Sequence, residues 1–311
     1  MRVDISIILD ALIHGFQIDA SFPMIKALSI TMAGLFSIVA IESQVAGDGV
    51  CGSHHASLRS IAKNNEKLKY CISNEFICAE IGRFIGLPIP PCGIVYAKDH
   101  AIKHWFASLN FNLTADTAEE LPPIDPKQCA SDLPDLSTGV IFFDIWIANL
   151  DRHRKNLSID LAEKPPRMSI FDHSHALFGH VNGEGIKRLN DLQDSLGISG
   201  GTTIGQAVQD AVISPPYLGV VDGNGAGQKR HCLLDELKTD DYFSKWFSRI
   251  AAVPDYLIDD VCSGTFDLDM ITEQEATEAK AFLIYRRNKI RELVNSNRSE
   301  FSGIDQWRLT I

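Results

Sequence analysis

The sequence predicts an α+β fold, strand-rich over its first third and mainly helical thereafter. Three observations carry this. β-Branched apolar runs surround one amphipathic stretch between residues 24 and 96, an apolar aromatic run at 139–150 is followed by a hairpin pattern, and two amphipathic helical stretches close the chain. The 311 residues are 45% hydrophobic and 22% charged, ordinary usage for a chain with a sizeable core, which excludes disordered and fibrous classes.

Residues 24–41 are β-branched and apolar, broken at Gly34, and read as two strands about a turn. Gly47-Asp48-Gly49 marks another turn, and 57–63 reads as a strand ending at Lys63. A helix is expected over 73–84, with Ser73 as its cap and Ile77, Ile81 and Ile85 at i, i+4 spacing. Gly86-Leu87-Pro88 ends it, and Ile94-Val95-Tyr96 reads as a strand. Residues 110–137, rich in Pro, Asp, Thr and Ala with little periodicity, read as a linker or insertion.

The run 139–150 should form a deeply buried helix with Phe142, Phe143 and Trp146 in the core. Residues 157–160 and 168–172 flank a turn at Lys164-Pro165-Pro166 and form a hairpin. Residues 179–229 are Gly- and Asp-rich with weak helical pieces, and 223–227 reads as a loop. Helices are expected over 241–250, with Phe243, Phe247 and Ile250 on one face, and over 272–294, opened by the capping box Thr272-x-x-Glu275. Arg286-Arg287 reads as part of a solvated face.

Lys plus Arg number 29 against 40 Asp plus Glu, a net charge of −11, which argues against direct contact with nucleic acid. Seven cysteines, an odd number without a C-x-x-C pair, exclude a disulfide framework and a zinc ribbon and fit a reducing compartment. Asp4 and Asp10 stand where a signal peptide would want basic and then apolar residues, and the longest uncharged stretch, 15 residues over 27–41, is too short for a bilayer. A cytoplasmic protein without membrane contact is expected.

The chemistry concentrates between 144 and 178. Asp151 and Asn156 form a D-x-x-x-x-N arrangement after the buried helix, and the hairpin returns the chain so that Asp172 lies near its start. Each alone would be an ordinary surface ion pair, turn cap or strand end. Together they supply what phosphoryl transfer needs: a carboxylate to orient and deprotonate a hydroxyl, and an amide plus a second carboxylate to hold Mg²⁺. No carboxylate or cysteine sits at zinc-type spacing beside His54-His55, whereas His173 and His175, next to Asp172, are open to phosphate contact or to packing and hydrogen bonding. No G-x-S-x-G elbow is present, which argues against a hydrolase.

The run Phe143-Asp144-Ile145-Trp146-Ile147-Ala148-Asn149-Leu150-Asp151-Arg152-His153-Arg154-Lys155-Asn156, with Ile170-Phe171-Asp172-His173-Ser174-His175-Ala176-Leu177-Phe178, resembles the catalytic core of HipA-like kinases. These are atypical bacterial Ser/Thr kinases related to the phosphoinositide lipid kinases. Asn74-Glu75 and the 85–90 stretch, Ile-Gly-Leu-Pro-Ile-Pro, are similar to the family's N-E pair and G-L-P-x-P stretch. The resemblance implies a bilobal protein-kinase-like fold with a mostly helical C-terminal lobe, divided into 1–112 and 113–311, with ATP and Mg²⁺ between the lobes.

The implied roles are Asp151 as base, Asn156 and Asp172 as metal ligands, and Lys155 as added charge near the leaving phosphate. Lys63, oriented by Glu75, would hold the phosphates, with Lys67 and Lys69 as rival lysines. Arg152 would serve structure at the base of the loop. The implied acceptor is Ser or Thr of a protein, and the implied associate is an antitoxin-type, DNA-binding protein partner. Two departures stand out. Neither Gly34 nor the Gly47, Gly49, Gly52 group has kinase phosphate-loop spacing, and Asp172 is followed by His173-Ser174 and not by a glycine. A nucleotide-binding pseudokinase, an interaction protein, and a kinase acting on a lipid or small molecule are the alternatives.

Overall fold

The sheet that carries Lys63 is built from short antiparallel strands. The structure, a computed structural model, describes residues 38–44 (backbone only), 54–111, 121–149, 151–160, 166–179, 183–195 and 231–308. Strands β1 (Ile38–Gln44) and β2 (His54–Leu58) pair with Ile41 opposite Ala56. Strand β3 (Ser60–Lys63) belongs to a second sheet of order β3-β5-β4, in which β4 is Cys92–Tyr96 and β5 is His104–Leu109. The single strand expected over 57–63 is therefore two, parted at Arg59. The Arg59 carbonyl accepts the Asn110 N–H at 3.0 Å, which sets β3 on β5 with Lys63 opposite Phe106.

Helix α1 (Cys71–Phe84) packs on β4 and β5. It starts two residues before the expected cap, so Ser73 is not a cap but a buried residue of the first turn. Tertiary contacts set the start: Tyr70 donates to Glu275 Oε1 at 2.6 Å and stacks on Phe178, while Asn65 Oδ1 accepts the Ile72 N–H at 2.8 Å.

Within the expected linker lies helix α2 (Pro126–Asp132), with Asp125 Oδ1 accepting the Lys127 N–H at 3.0 Å and Pro126 at its first position. Helix α3 (Pro134–Ile147) also begins earlier than expected, and every residue from Ser137 to Ile147 is buried. It stops at Ile147 because Ala148 turns left-handed at φ 50°.

The hairpin of β6 (Leu157–Asp160) and β7 (Arg167–Ile170) has the expected place, with Leu157 opposite Ile170. Helices α4 (Gly185–Leu192), α5 (Phe243–Ala251), α6 (Asp255–Asp267) and α7 (Glu273–Ser296) follow. Helix α6 was not expected, although Pro254 in extended backbone and Asp255 in the first turn mark its start. The Thr272–Glu275 capping box forms as expected, and α7 packs against α3, α4, α5 and α6. Among the described residues no helix is long and apolar enough to cross a membrane.

Arg286 corrects the expectation of a solvated face: it is 0% exposed. Its guanidinium donates to the carbonyls of Trp146 at 3.1 Å, Leu192 at 2.6 Å, Ser195 at 2.5 Å and to that of Ile145. Arg188 donates to the Ala148 carbonyl at 3.1 Å. Two cations thus satisfy the C-terminal carbonyls of α3 and complement its dipole. The expected strand before Gly34, the candidate phosphate-loop glycines and the 223–227 loop lie outside the described residues.

Replacing Arg286 would strand several carbonyls in a dry core. Arg286→Met is expected to lower unfolding stability by about 3 kcal/mol or more, read as a lower urea midpoint at unchanged slope. A midpoint equal to wild type would remove Arg286 from the supports of α3.

Candidate active site

Lys63 ends β3 with its side chain between two carboxylates. Its Nζ lies 2.5 Å from Glu75 Oε1 on α1 and 2.8 Å from Asp172 Oδ1 beyond β7. The rivals are placed elsewhere: Lys69 pairs with Glu275 at 2.9 Å and Tyr70 Oη at 3.1 Å, and Lys67 is exposed before α1. Burial by itself would lower the Lys63 pKa, but Glu75 and Asp172 together outweigh it and raise it. Burial likewise opposes ionisation of Glu75 and Asp172, yet the Lys63 charge beside them takes both below their ordinary values. All three groups are therefore charged at neutral pH.

The loop after α3 is organised by a carboxylate that the sequence reading passed over. Asp144, buried in α3, accepts from Arg152 Nε at 2.8 Å, Arg152 Nη2 at 3.1 Å, Asn149 Nδ2 at 2.9 Å and His231 Nε2 at 3.0 Å. His231 Nδ1 accepts the Leu233 N–H at 3.2 Å, so Nε2 is the nitrogen that carries the proton toward Asp144. Burial pushes the Asp144 pKa up, but Arg152 and His231 outweigh it and hold the carboxyl well below its usual range. One signal was available: an Asp inside an otherwise apolar helix requires a buried partner.

Arg152 is fully buried and reaches both limbs of the site. Its Nη1 donates to the Asn156 carbonyl at 2.9 Å and to the Phe171 carbonyl at 2.6 Å. It is thus a buried tie and not a surface ion pair. Asp151, between these anchors, is held through its backbone: Asn149 Oδ1 accepts its N–H at 3.2 Å, and its carbonyl accepts from Asn156 Nδ2 at 2.9 Å. Its carboxylate stays 26% exposed. Burial raises the Asp151 pKa and the nearby Asp172 charge adds to it, outweighing His175 and His153. That direction suits a proton acceptor.

The hairpin register brings Asn156 and Asp172 together. Leu157 faces Ile170, the Phe171 N–H donates to the Asn156 carbonyl at 3.3 Å, and Asp172 follows. Asp172 adopts φ 61°, a left-handed conformation that Asp tolerates better than most residues, and Ser174 Oγ donates to its Oδ1 at 2.7 Å. Asn156 and Asp172 both line the same cleft, where the amide and carboxylate oxygens could hold a cation. A two-ligand set suits Mg²⁺, which keeps several waters. Among the described residues no cluster of three or more His, Cys, Asp or Glu forms a metal cage.

These groups share a cleft of about 540 Å³, the size of a small-molecule site. Lys63, Glu75, Lys155, Asn156 and Asp172 line its polar side, and Ile61, Ile89, Phe106 and Ile170 its apolar side. Asp151 is not part of this lining and joins it through Asn156. Asn74, beside Glu75 on α1, has a second role. It donates to the Ser174 carbonyl at 2.7 Å and the Gly179 carbonyl at 3.1 Å, and accepts the Phe178 N–H at 3.3 Å.

A lysine held by a helix glutamate, facing an Asp/Asn loop and a second aspartate, is the arrangement of a kinase. Residues 51–187 match the family model described as HipA-like kinase, a span that contains Lys63, Glu75, Asp144, Asp151, Arg152, Asn156 and Asp172 but not His231. The resemblance seen in 143–156 and 170–178 is thus confirmed over this segment. The crystal structure of a Helicobacter pylori proinflammatory kinase, CtkA, aligns at 12% identity and a TM-score of 0.46, covering 85% of this chain and 96% of that one. No curated protein matches the chain.

Asp144 and Asp172 titrate lower in the folded chain than their unfolded value of about 3.9. Their contribution to stability is therefore complete at neutral pH and is lost as pH falls from about 5 toward their folded values. Urea midpoints of wild type should fall between about pH 5 and pH 3. Asp144→Asn, less stable at neutral pH by about 3–5 kcal/mol because Arg152 loses its buried partner, should show a shallower acid slope. Parallel slopes would remove Asp144 from the acid response.

Proposed function

We propose that the protein is a bilobal kinase, divided near residue 112, that transfers the γ-phosphate of ATP to a hydroxyl in a Mg²⁺-dependent reaction. The observation that carries the reading is Lys63 held between Glu75 and Asp172 in the cleft that Asn156 also lines. In this reading Lys63 binds the nucleotide phosphates and Glu75 keeps it in position. Asn156 Oδ1 and the Asp172 carboxylate would hold Mg²⁺, which when bound neutralises phosphate charge. The apolar wall of Ile61, Ile89, Phe106 and Ile170 would take the base.

Asp151 orients the acceptor hydroxyl and accepts its proton. A new oxygen–phosphorus bond forms as the bond to the β,γ-bridging oxygen breaks, and ADP leaves. Exposed Lys155 at the rim adds positive charge where negative charge collects. From the resemblance of the 143–156 and 170–178 runs, Ser or Thr of a protein is proposed as the acceptor, and an antitoxin-type protein as a partner.

A thermal-shift titration with ATP, with and without Mg²⁺, tests the nucleotide site. Wild type at about a hundred times the dissociation constant should gain roughly 2.7 kcal/mol, a shift of a few degrees. Asp172→Ala should lose the Mg²⁺-dependent part, and Lys63→Ala should need more ATP for the same shift. Absence of any shift in wild type would defeat the reading.

Asp151→Ala should bind ATP as wild type does while phosphate transfer to a generic protein acceptor falls about 10²–10⁴-fold. Equal transfer by the variant would take the base role away from Asp151. Nucleotide binding by wild type without turnover would instead establish a pseudokinase.

A further inference from the structure

His173, which follows the metal aspartate, has no role in the reading above. It is 1% exposed, lines the cleft, and sits edge-on to Phe143 with ring centroids 5.7 Å apart. Its backbone N–H donates to Glu75 Oε2 at 3.0 Å, and its Nδ1 lies 3.5 Å from the same oxygen. Nε2 is buried with no hydrogen-bond partner among the described residues. A buried N–H without an acceptor is costly, so Nδ1 is the nitrogen that carries the proton, directed at Glu75. The two oxygens of Glu75 thus have separate tasks: Oε1 meets Lys63, and Oε2 meets His173.

Because Asp172 also contacts Lys63, the four residues close a ring through Lys63, Glu75, His173 and Asp172. Resting on the nucleotide reading of this site, we propose that His173 is a positioning residue whose imidazole fixes Glu75, and through it Lys63, for phosphate binding. The imidazole acts when a nucleotide enters. Phosphate oxygens and a cation compete for Lys63 and Asp172, and the lysine would follow them unless Glu75 were held from behind. A phenylalanine at this position would fill the same space and keep the contact with Phe143, yet it could not donate to Glu75. The segment after Asp172 does not rely on the imidazole for its place, since Asn74 grips Ser174, Phe178 and Gly179 independently.

The test uses the full chain and four proteins: wild type, His173→Phe, His173→Asn and His173→Gln. ATP·Mg²⁺ affinity is measured by calorimetry, and kcat and KM by ADP release. The Asn amide nitrogen stands near the Nδ1 position and the Gln amide nitrogen near Nε2. His173→Phe and His173→Gln should each weaken ATP binding and raise KM roughly tenfold with a smaller change in kcat, whereas His173→Asn should stay within about twofold of wild type. If the Phe variant does not fold, the Asn–Gln pair carries the comparison.

In a Lys63→Ala background, His173→Gln should have no further effect on ATP affinity, because the residue through which it acts is gone. A purely structural role would weaken Asn and Gln variants alike and persist in that background, and either result overturns the proposal. Unchanged affinity in the Phe and Gln variants overturns it as well. A wild type that binds no ATP·Mg²⁺ would defeat the nucleotide reading itself, an outcome distinct from wild-type binding that His173 does not influence.

Discussion

The buried pair of Arg152 and Asp144 is the constraint on which the site depends. Both side chains are 0% exposed, and desolvating two ions costs several kcal/mol that mutual attraction alone need not repay. The geometry offsets this by using the guanidinium four ways. Two N–H groups clasp the carboxylate of α3, and Nη1 reaches the carbonyls of Asn156 and Phe171. One side chain therefore sets the distance between the helix, the loop of Asp151 and the segment of Asp172. A hydrophobic substitute could fill the volume, but it could not tie three backbone segments together.

The second organising element is α1, which approaches the same segments from the other side. Asn74 and Glu75, adjacent in the chain, take different parts of 172–179: Asn74 meets the Ser174, Phe178 and Gly179 backbones, and Glu75 meets His173. The helix start is itself anchored by Tyr70 on Glu275, which also caps α7. Burial opposes the charge of Glu275, but Lys69, the Thr272 N–H and Tyr70 bring its pKa down to about 2, so this anchor stays charged near neutral pH. Lys63 is thus held by a helix fixed both at its start by Tyr70 and through Asn74 and Glu75.

Backbone strain concentrates in the same region. Ala148, Asp172 and Leu177, none of them glycine, all have positive φ, at 50°, 61° and 41°. Such conformations cost about 1–2 kcal/mol each for L-residues and persist only where surrounding bonds over-determine them. Here those bonds are visible. The Leu177 N–H donates to the Ile147 carbonyl, Arg188 takes the Leu177 and Ala148 carbonyls, and Ser174 holds Asp172. Arg188, at the end of α3, therefore also stabilises the turns from which the site projects.

By itself the sequence determined the parts whose signal is local. The D-x-x-x-x-N spacing, the hairpin that returns to Asp172, the capping box of α7 and the core face of α5 all rest on bonds or periodicities spanning a few residues. A strand-end lysine before a helix glutamate was a legible pattern, but Lys67 and Lys69 stayed rivals until the fold placed Lys63 between Glu75 and Asp172. Tertiary structure decided the rest. Ser73 has the residue type of a cap, but long-range contacts of Tyr70 moved the helix start past it. Arg286 has the look of a solvated residue, since periodicity reports which face is apolar and cannot show that distant carbonyls of α3 need donors. Asp144 was unread for the same reason, and His173 offered phosphate contact, packing or hydrogen bonding without a choice among them. Each acts through a partner far away in the chain, and a buried polar group declares its purpose only when that partner is in place.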